Sequence, residues 1–233
     1  MTTIACIFAR SGSKGISNKN IRAFNGKPLI AWTVELALKV KQIDQVYVST
    51  DSEEIAKVAE SAGAIIPFIR PTGLATDTSP ELLSWQHFLQ YMAEKNGKLP
   101  DVFVSLPTTS PLRSIQDVEN CVNEFNKGLA DLVLGISPSN RSPFFNMVKK
   151  DKNNFVDLVM DSETEFTRRQ DAPRIFDITT VCYVGDPSFI ISTKSIFDGR
   201  IIGVEIPTER AIDIDTPLDF KIAQFLHQNI GLI

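Results

Sequence analysis

Near the start of the chain, Ile4-Ala5-Cys6-Ile7-Phe8-Ala9 is a short unbroken apolar run. The absence of alternation over that length predicts a strand covered on both faces, as in a parallel sheet. A polar stretch from Arg10 to Lys27 follows. Pro28 suits a first helical position, and Leu29, Trp32 and Leu36 recur at helical spacing, which predicts a helix from Pro28 to about Val40. Val46-Tyr47-Val48 reads as the next strand. Ser52, followed by Ile55, Val58, Ala59 and Gly63, outlines a capped helix with a glycine stop. Ile65-Ile66 is a short strand candidate, and from Pro80 to Glu94 the residues Leu82, Leu83, Trp85, Phe88, Leu89 and Met92 lie largely on one side of a helix.

Val102 to Leu106 is another strand of the buried type, and Ser114 with Asp117 marks the start of a helix whose inner face is Ile115, Val118, Val122 and Phe125. Leu132-Val133-Leu134 is the strand after it. Strands separated by single helices imply βαβ units with right-handed crossovers. The predicted fold is therefore α/β, an open, mostly parallel twisted sheet with helices on both faces. At about residue 137 the rhythm breaks. Phe144–Val148 and Phe155–Val159 are strand-like, with no strong helix between them, so about 137–177 is expected to protrude from the sheet. Thr180–Val184 and Ile201–Glu205 return to core-strand composition, and Leu218, Ile222, Phe225 and Leu226 define a closing helix. With 233 residues, one domain over 1–233 is expected.

Composition sharpens this picture in three places. No apolar run approaches 18 residues and the first residues lack a signal-peptide pattern, so a cytoplasmic protein with no membrane partner is expected. Cys6, Cys121 and Cys182 are too widely spaced for a zinc site or disulfide framework and read as reduced core thiols. A net charge of −4 argues against nucleic acid as a partner. A polyphosphate ligand would have to meet a local cluster of cations.

Such a cluster follows the first strand, where ligands of open α/β sheets bind. Arg10, Lys14 and Lys19 supply positive charge, Ser13 a hydroxyl, and Gly12 and Gly15 the freedom for backbone N–H groups to approach an anion. The spacing matches neither a Walker A loop nor a dinucleotide fingerprint. Taken on composition alone, it could equally be a solvated surface loop. Far along the chain, Asp213 and Asp215 stand two apart. In an extended segment both carboxylates face one way, a fit for Mg²⁺ shared with phosphate oxygens, while Ile212 and Ile214 face the core. A plain turn with Asp215 capping the helix begun at Pro217 is the competing reading. His87 and His227 have no motif around them and read as structural or exposed.

The run from Ile7 to Gly15 followed by Lys19-Asn20 resembles the opening signature of the acylneuraminate cytidylyltransferase family. Ser49-Thr50-Asp51, Arg70-Pro71, Leu74-Ala75-Thr76-Asp77, Thr109-Ser110-Pro111-Leu112-Arg113, Arg169-Gln170 and Asp213-Ile214-Asp215-Thr216 continue the resemblance over nearly the full chain. It implies a CTP-dependent transfer of CMP to the anomeric hydroxyl of an acidic 2-keto sugar, with Mg²⁺ as cofactor. Arg10, Lys19 and Asp215 would be catalytic. Arg10, Gly12, Ser13, Lys14, Gly15 and Lys19 would bind the phosphates, with Asn20, Arg70 and Ser79 toward the nucleoside. Thr108, Thr109, Arg168, Arg169, Gln170 and Thr179 would face the sugar. A homodimer joined through the protruding segment is also implied.

Two departures concern the sugar. The family's Gln-Pro-Thr-Ser-Pro has its glutamine replaced by Pro107, and the family's Asn-Gly after the arginine pair is replaced within Asp177-Ile178-Thr179-Thr180. Loss of a buried hydrogen-bonding partner can redirect specificity. The alternatives left open are a cytidylyltransferase for a ketodeoxyoctulosonate or another sugar acid such as a bacterial diamino-nonulosonate, a nucleotide-sugar glycosyltransferase, and a non-catalytic nucleotide-binding protein.

Overall fold

The computed structural model describes residues 1–160, 166, 168 and 171–229. In chain order, the first half comprises β1 (Thr3–Ala9), a small β2–β3 hairpin (Ala23–Phe24 and Lys27–Pro28), α1 (Leu29–Ala37), β4 (Gln45–Thr50), α2 (Glu53–Ser61), α3 (Glu81–Asn96) and β5 (Val102–Ser105). The second half adds α4 (Ile115–Phe125), β6 (Leu132–Pro138), β7 (Val148–Lys150), β8 (Val156–Leu158), β9 (Phe176–Gly185), α5 (Pro187–Ser192), β10 (Ile201–Glu205) and α6 (Pro217–Gln228). The main sheet has six strands in the order β10-β6-β9-β5-β1-β4.

Successive side chains of a strand point to opposite faces, and the two faces are buried by different helices. Ala5, Ile7, Val46, Val48 and Val104 pack against Ile30 and Val34 of α1, Ile55 of α2 and Val118 and Val122 of α4. Ile4, Cys6, Tyr47 and Phe103 pack on the other side against Trp85, Phe88, Leu89 and Met92 of α3 and Ile190 of α5. That two-sided burial is why the strands read as continuous apolar runs. All three cysteines are buried and unpaired.

The strand at Thr180–Val184 belongs to β9, which runs antiparallel between β5 and β6 while the pairs β1–β4, β1–β5 and β10–β6 are parallel. Direction is not encoded in strand composition, so the mixed character emerges only from pairing. Because it is reversed, β9 starts at the edge where β1, β4 and β5 end, and this edge carries the site.

Four local expectations change. Pro28 is not a first helical residue but an extended cap (φ −55°, ψ 142°) closing the β2–β3 hairpin. Its two-residue Asn25-Gly26 turn has φ of 45° and 96°, the arrangement that Asn-Gly favours in tight hairpins. Ile65 makes only an isolated bridge to Tyr47. In the excursion the first strand begins at Val148 rather than ending there, and pairs Val148 with Leu158. Finally, α6 buries Phe220 and Ala223, leaving Leu218, Ile222 and Phe225 exposed. The helix carries two apolar stripes, and the one chosen meets an aromatic cluster, with Phe220 edge-on to Phe24 and His227 edge-on to Trp32. His87 likewise stacks edge-on against Phe68. Among the described residues, no helix is long and apolar enough to cross a membrane.

Candidate active site

The loops leaving β1, β4 and β5, the start of α3 and the segment before α6 enclose a cleft of about 460 Å³. The loop after β1 is tied down at both ends. Ser11 donates through its backbone N–H and its hydroxyl to Asp51 (2.9 and 2.7 Å), at the end of β4. Asn20 is buried, donates to the Arg10 carbonyl at 2.9 Å and accepts from the Thr108 hydroxyl at 2.5 Å. Three strand ends are thereby held together. Asn20 still borders the cleft, but both ends of its amide are engaged in joining loops.

The glycines of this loop differ in what they allow. A Cβ on Gly15 would lie 2.1 Å from the Asp215 carbonyl oxygen, so only glycine lets the loop touch the Asp213–Asp215 segment. Gly12 has nothing within 4 Å of its would-be Cβ, and it does not border the cleft. Across that contact, Lys19 Nζ donates to the Ile214 carbonyl at 2.7 Å and lies 3.7 Å from Asp215 Oδ1. The first loop and the late aspartates, about two hundred residues apart, therefore meet.

Asp213 and Asp215 both face the cleft, while Ile214 between them is fully buried. Asp215 does not cap α6; Thr216 does, in a capping box with Asp219. Among the described residues, the Asp215 carboxylate is left with Lys19 alone. Asp213 Oδ1 is buried without a hydrogen-bond partner. A buried carboxylate oxygen with no donor is costly, and a divalent cation would satisfy it. Among the described residues no cluster of three metal-ligating side chains forms.

Arg10, Ser13 and Lys14 border the same cleft. Arg10 Nη1 lies 2.5 Å from Asp77 Oδ1 and Lys14 Nζ 2.8 Å from Asp77 Oδ2, and these two cations hold the Asp77 carboxyl below its ordinary pKa. Asp77 stands within the Leu74–Asp77 run, yet the sequence offered no sign that it would counter these charges.

Deeper in, Arg70 is only 4% exposed and its Nε has no hydrogen-bond partner; the Ser79 hydroxyl is likewise buried and unpartnered. Burial lowers the Arg70 pKa, while Asp51 works in the opposite direction. Glu81, which opens α3, presents its carboxylate to this part of the cleft and accepts from Trp85 Nε1 at 3.1 Å. Glu81 is exposed as a residue, but desolvation by the protein around its carboxyl pushes the pKa up. Sequence reasoning passed over Glu81; its place two residues beyond Ser79, at a helix start, was the available signal.

At the other end, Pro107, Thr108 and Thr109 follow β5 and border the cleft. Their turn is clamped from behind by Arg113, which is fully buried and donates to the carbonyls of Pro107, Ser110 (2.9 Å) and Thr180 (3.3 Å). Desolvation lowers the Arg113 pKa to about 10. Thr180, rather than Thr179, reaches the cleft, with its hydroxyl 2.6 Å from Ser110 Oγ and 3.1 Å from Thr109 Oγ1. Thr179 is buried on the opposite side of β9 beside Gly135, because adjacent strand residues face opposite ways. Arg168 is exposed, does not border the cleft and pairs with Asp171 at 3.0 Å. Arg169 and Gln170 lie outside the described residues.

Against known proteins, the profile of the family described as "Cytidylyltransferase" matches residues 4–229. The chain belongs to the cytidylyltransferase family. It is 35% identical over 228 residues to a Campylobacter jejuni protein named CMP-N,N'-diacetyllegionaminic acid synthase, covering 97% of this chain and 95% of that one. It is 34% identical, with the same coverage, to post-translational flagellin modification protein B of Campylobacter coli. Among solved structures, it resembles a CMP:2-keto-3-deoxy-manno-octonic acid synthetase complexed with CTP, at TM-score 0.69 and 16% identity over 99% of this chain and 100% of that one. That last likeness concerns the fold, and the mostly parallel sheet of this cytidylyltransferase agrees with it.

Proposed function

We propose that this chain transfers CMP from CTP to the anomeric hydroxyl of an acidic 2-keto sugar of the nonulosonate type, releasing pyrophosphate. The observation that carries this reading is the convergence of Lys19 and Asp215 at 3.7 Å in a cleft that also holds Arg10 and Lys14. Cations and a carboxylate pair on one small surface suit a polyphosphate with its metal, and family membership makes CTP the nucleotide.

Transfer at phosphorus asks for positioning and charge neutralisation more than for covalent help from the protein. Arg10, Lys14 and Ser13 are placed to take the phosphate oxygens, with Lys19 beside them. In this role the two cations exchange Asp77 for phosphate. Asp213 and Asp215 would hold Mg²⁺, which when bound would neutralise phosphate charge. Arg70 and Ser79 supply donors for the nucleoside. Thr108, Thr109 and Thr180 offer hydroxyls toward the sugar, whose anomeric oxygen attacks the α-phosphorus in line. The relative named for N,N'-diacetyllegionaminic acid, together with Pro107 at the sugar end, favours a sugar acid with two N-acyl groups over N-acetylneuraminate, which has one.

The exposed Val148, Phe155 and Val156 of the β7–β8 hairpin support a homodimer formed through this segment. Three unpaired thiols and the use of CTP support work in the cytoplasm. The direct test is pyrophosphate release from CTP with N,N'-diacetyllegionaminic, pseudaminic, N-acetylneuraminic and ketodeoxyoctulosonic acids, with and without Mg²⁺. A CMP-sugar detected by mass spectrometry with at least one nonulosonate is expected; no product with any of the four would overturn the proposal.

A further inference from the structure

We infer that Glu81 is a specificity residue for the nucleotide base, accepting a hydrogen bond from the 4-amino group of cytosine while Arg70 donates to the acceptors on the same edge. The inference rests on the CTP reading above and adds a residue to it. Arg70 and Glu81 border one cleft and sense each other's charge, yet they form no ion pair with each other. Arg70 Nε is buried without a partner, and so is the Ser79 hydroxyl two residues before Glu81. Unpaired buried polar groups are costly, and here they lie around a space that a ring could fill.

The carboxylate is also held in place. Trp85 is only 2% exposed, packs on Phe103 and Tyr183 at 5.6 and 5.4 Å between ring centres, and donates to Glu81 Oε1. A carboxylate can accept more than one hydrogen bond, so with Oε1 taking the Trp85 hydrogen, Glu81 keeps acceptor capacity at the cleft it borders. Cytosine presents acceptors at O2 and N3 and a donor at the 4-amino group, whereas uracil presents O4 there. A guanidinium can donate to O2 of either base. A carboxylate accepts from the amino group and repels O4, so the pair discriminates where Arg70 alone discriminates weakly. The competing role for Glu81 is favourable placement at the N-terminus of α3, which affects stability but not base choice.

The test is calorimetric binding of CTP, UTP and the 4-deamino analogue, 2-pyrimidinone riboside triphosphate, to the intact protein and to Glu81→Ala and Glu81→Gln, with melting curves as a folding control. The unaltered protein is expected to prefer CTP to the analogue by about tenfold or more, the worth of one charged hydrogen bond. Glu81→Ala should bring that preference to within about twofold, because a ligand lacking the amino group has nothing left to lose. Glu81→Gln, which can offer a donor to O4, should narrow the CTP to UTP ratio by about tenfold and serves in place of the alanine variant if that one does not fold. Unchanged ratios in a folded variant would overturn the role of Glu81 while leaving the CTP reading intact. Absence of CTP binding to the unaltered protein would overturn both.

Discussion

At its phosphate end the cleft is bordered by a loop already fastened at several points, Ser11 to Asp51, Asn20 to the Arg10 carbonyl and Lys19 to the Ile214 carbonyl, whereas beside β9 it is bordered by three threonines and a proline whose positions depend on strand pairing. The first end is a stretch of consecutive residues stapled to the tips of the sheet. The second is assembled from β5, β9 and a buried arginine that none of them signals. A contiguous, internally bonded loop brings its chemistry with it; a surface made by neighbouring strands can change one contact by changing one residue, as at Pro107, which borders the cleft.

If that contrast is right, the most damaging change should be Gly15→Ala, since the contact it would violate is with backbone that cannot swing aside. Displacing the Asp213–Asp215 segment by about an ångström should lower kcat/KM by about 10²-fold or more, while Gly12→Ala, with open space around it, leaves turnover within about twofold. Equal effects in a steady-state CTP assay would erase the distinction between the two glycines. Next, Lys19→Ala should cost about 10²-fold in kcat, and Asp213→Asn should raise the Mg²⁺ concentration needed for half-maximal rate. A variant with an unaltered Mg²⁺ titration would remove Asp213 from the metal.

The β9 end is sharpened by comparing neighbours. Thr180→Val should raise KM for the sugar acid by about tenfold with the KM for CTP unchanged, the scale of one lost hydrogen bond. Thr179→Val, on the buried side, should leave both values in place. A sugar effect at Thr179 alone would show that β9 is out of register.

Away from the cleft, Arg210 grips the buried Asp117 bidentately at 2.8 and 3.0 Å. Burial acts to raise the Asp117 pKa, but this pairing and the Ser114 hydrogen bonds outweigh it and the net shift is downward. A depressed carboxylate contributes stability above its unfolded pKa of about 3.9, and that contribution is lost as pH falls through the folded value. Arg210→Ala should therefore flatten the acid limb of a melting-temperature profile below about pH 4; an acid limb unchanged in slope would count against the pair. The smallest effect expected is at Arg168, where substitution by alanine should shift sugar KM by less than about twofold, because its guanidinium pairs with Asp171 at the surface.

How much of this could be read without coordinates varies with how local the cause is. The buried strands, the Ser52 and Ser114 caps and the cation-bearing loop follow from neighbours in sequence, through alternation, capping and charge. The Asn25-Gly26 hairpin was equally local and was passed over in favour of a helix beginning at Pro28. Asp77 and Thr180 carried no such local sign, since each matters through partners from other elements, and Glu81 had only its place at a helix start just beyond Ser79. The apolar pattern of the closing helix was present, but with two stripes available only the aromatic cluster around Phe24 could select Phe220 over Phe225.

The sequence by itself thus determined which segments form the sheet, the layer of helices and the chemistry of the first loop, because hydrophobic periodicity and charge are properties of neighbouring residues. The direction of β9, the contact of Gly15 with Asp215 and the meeting of Lys19 with the late aspartates were decided by tertiary structure alone. Burial of both sheet faces drives the chain to close on itself, and closure brings together residues that no spacing along it connects.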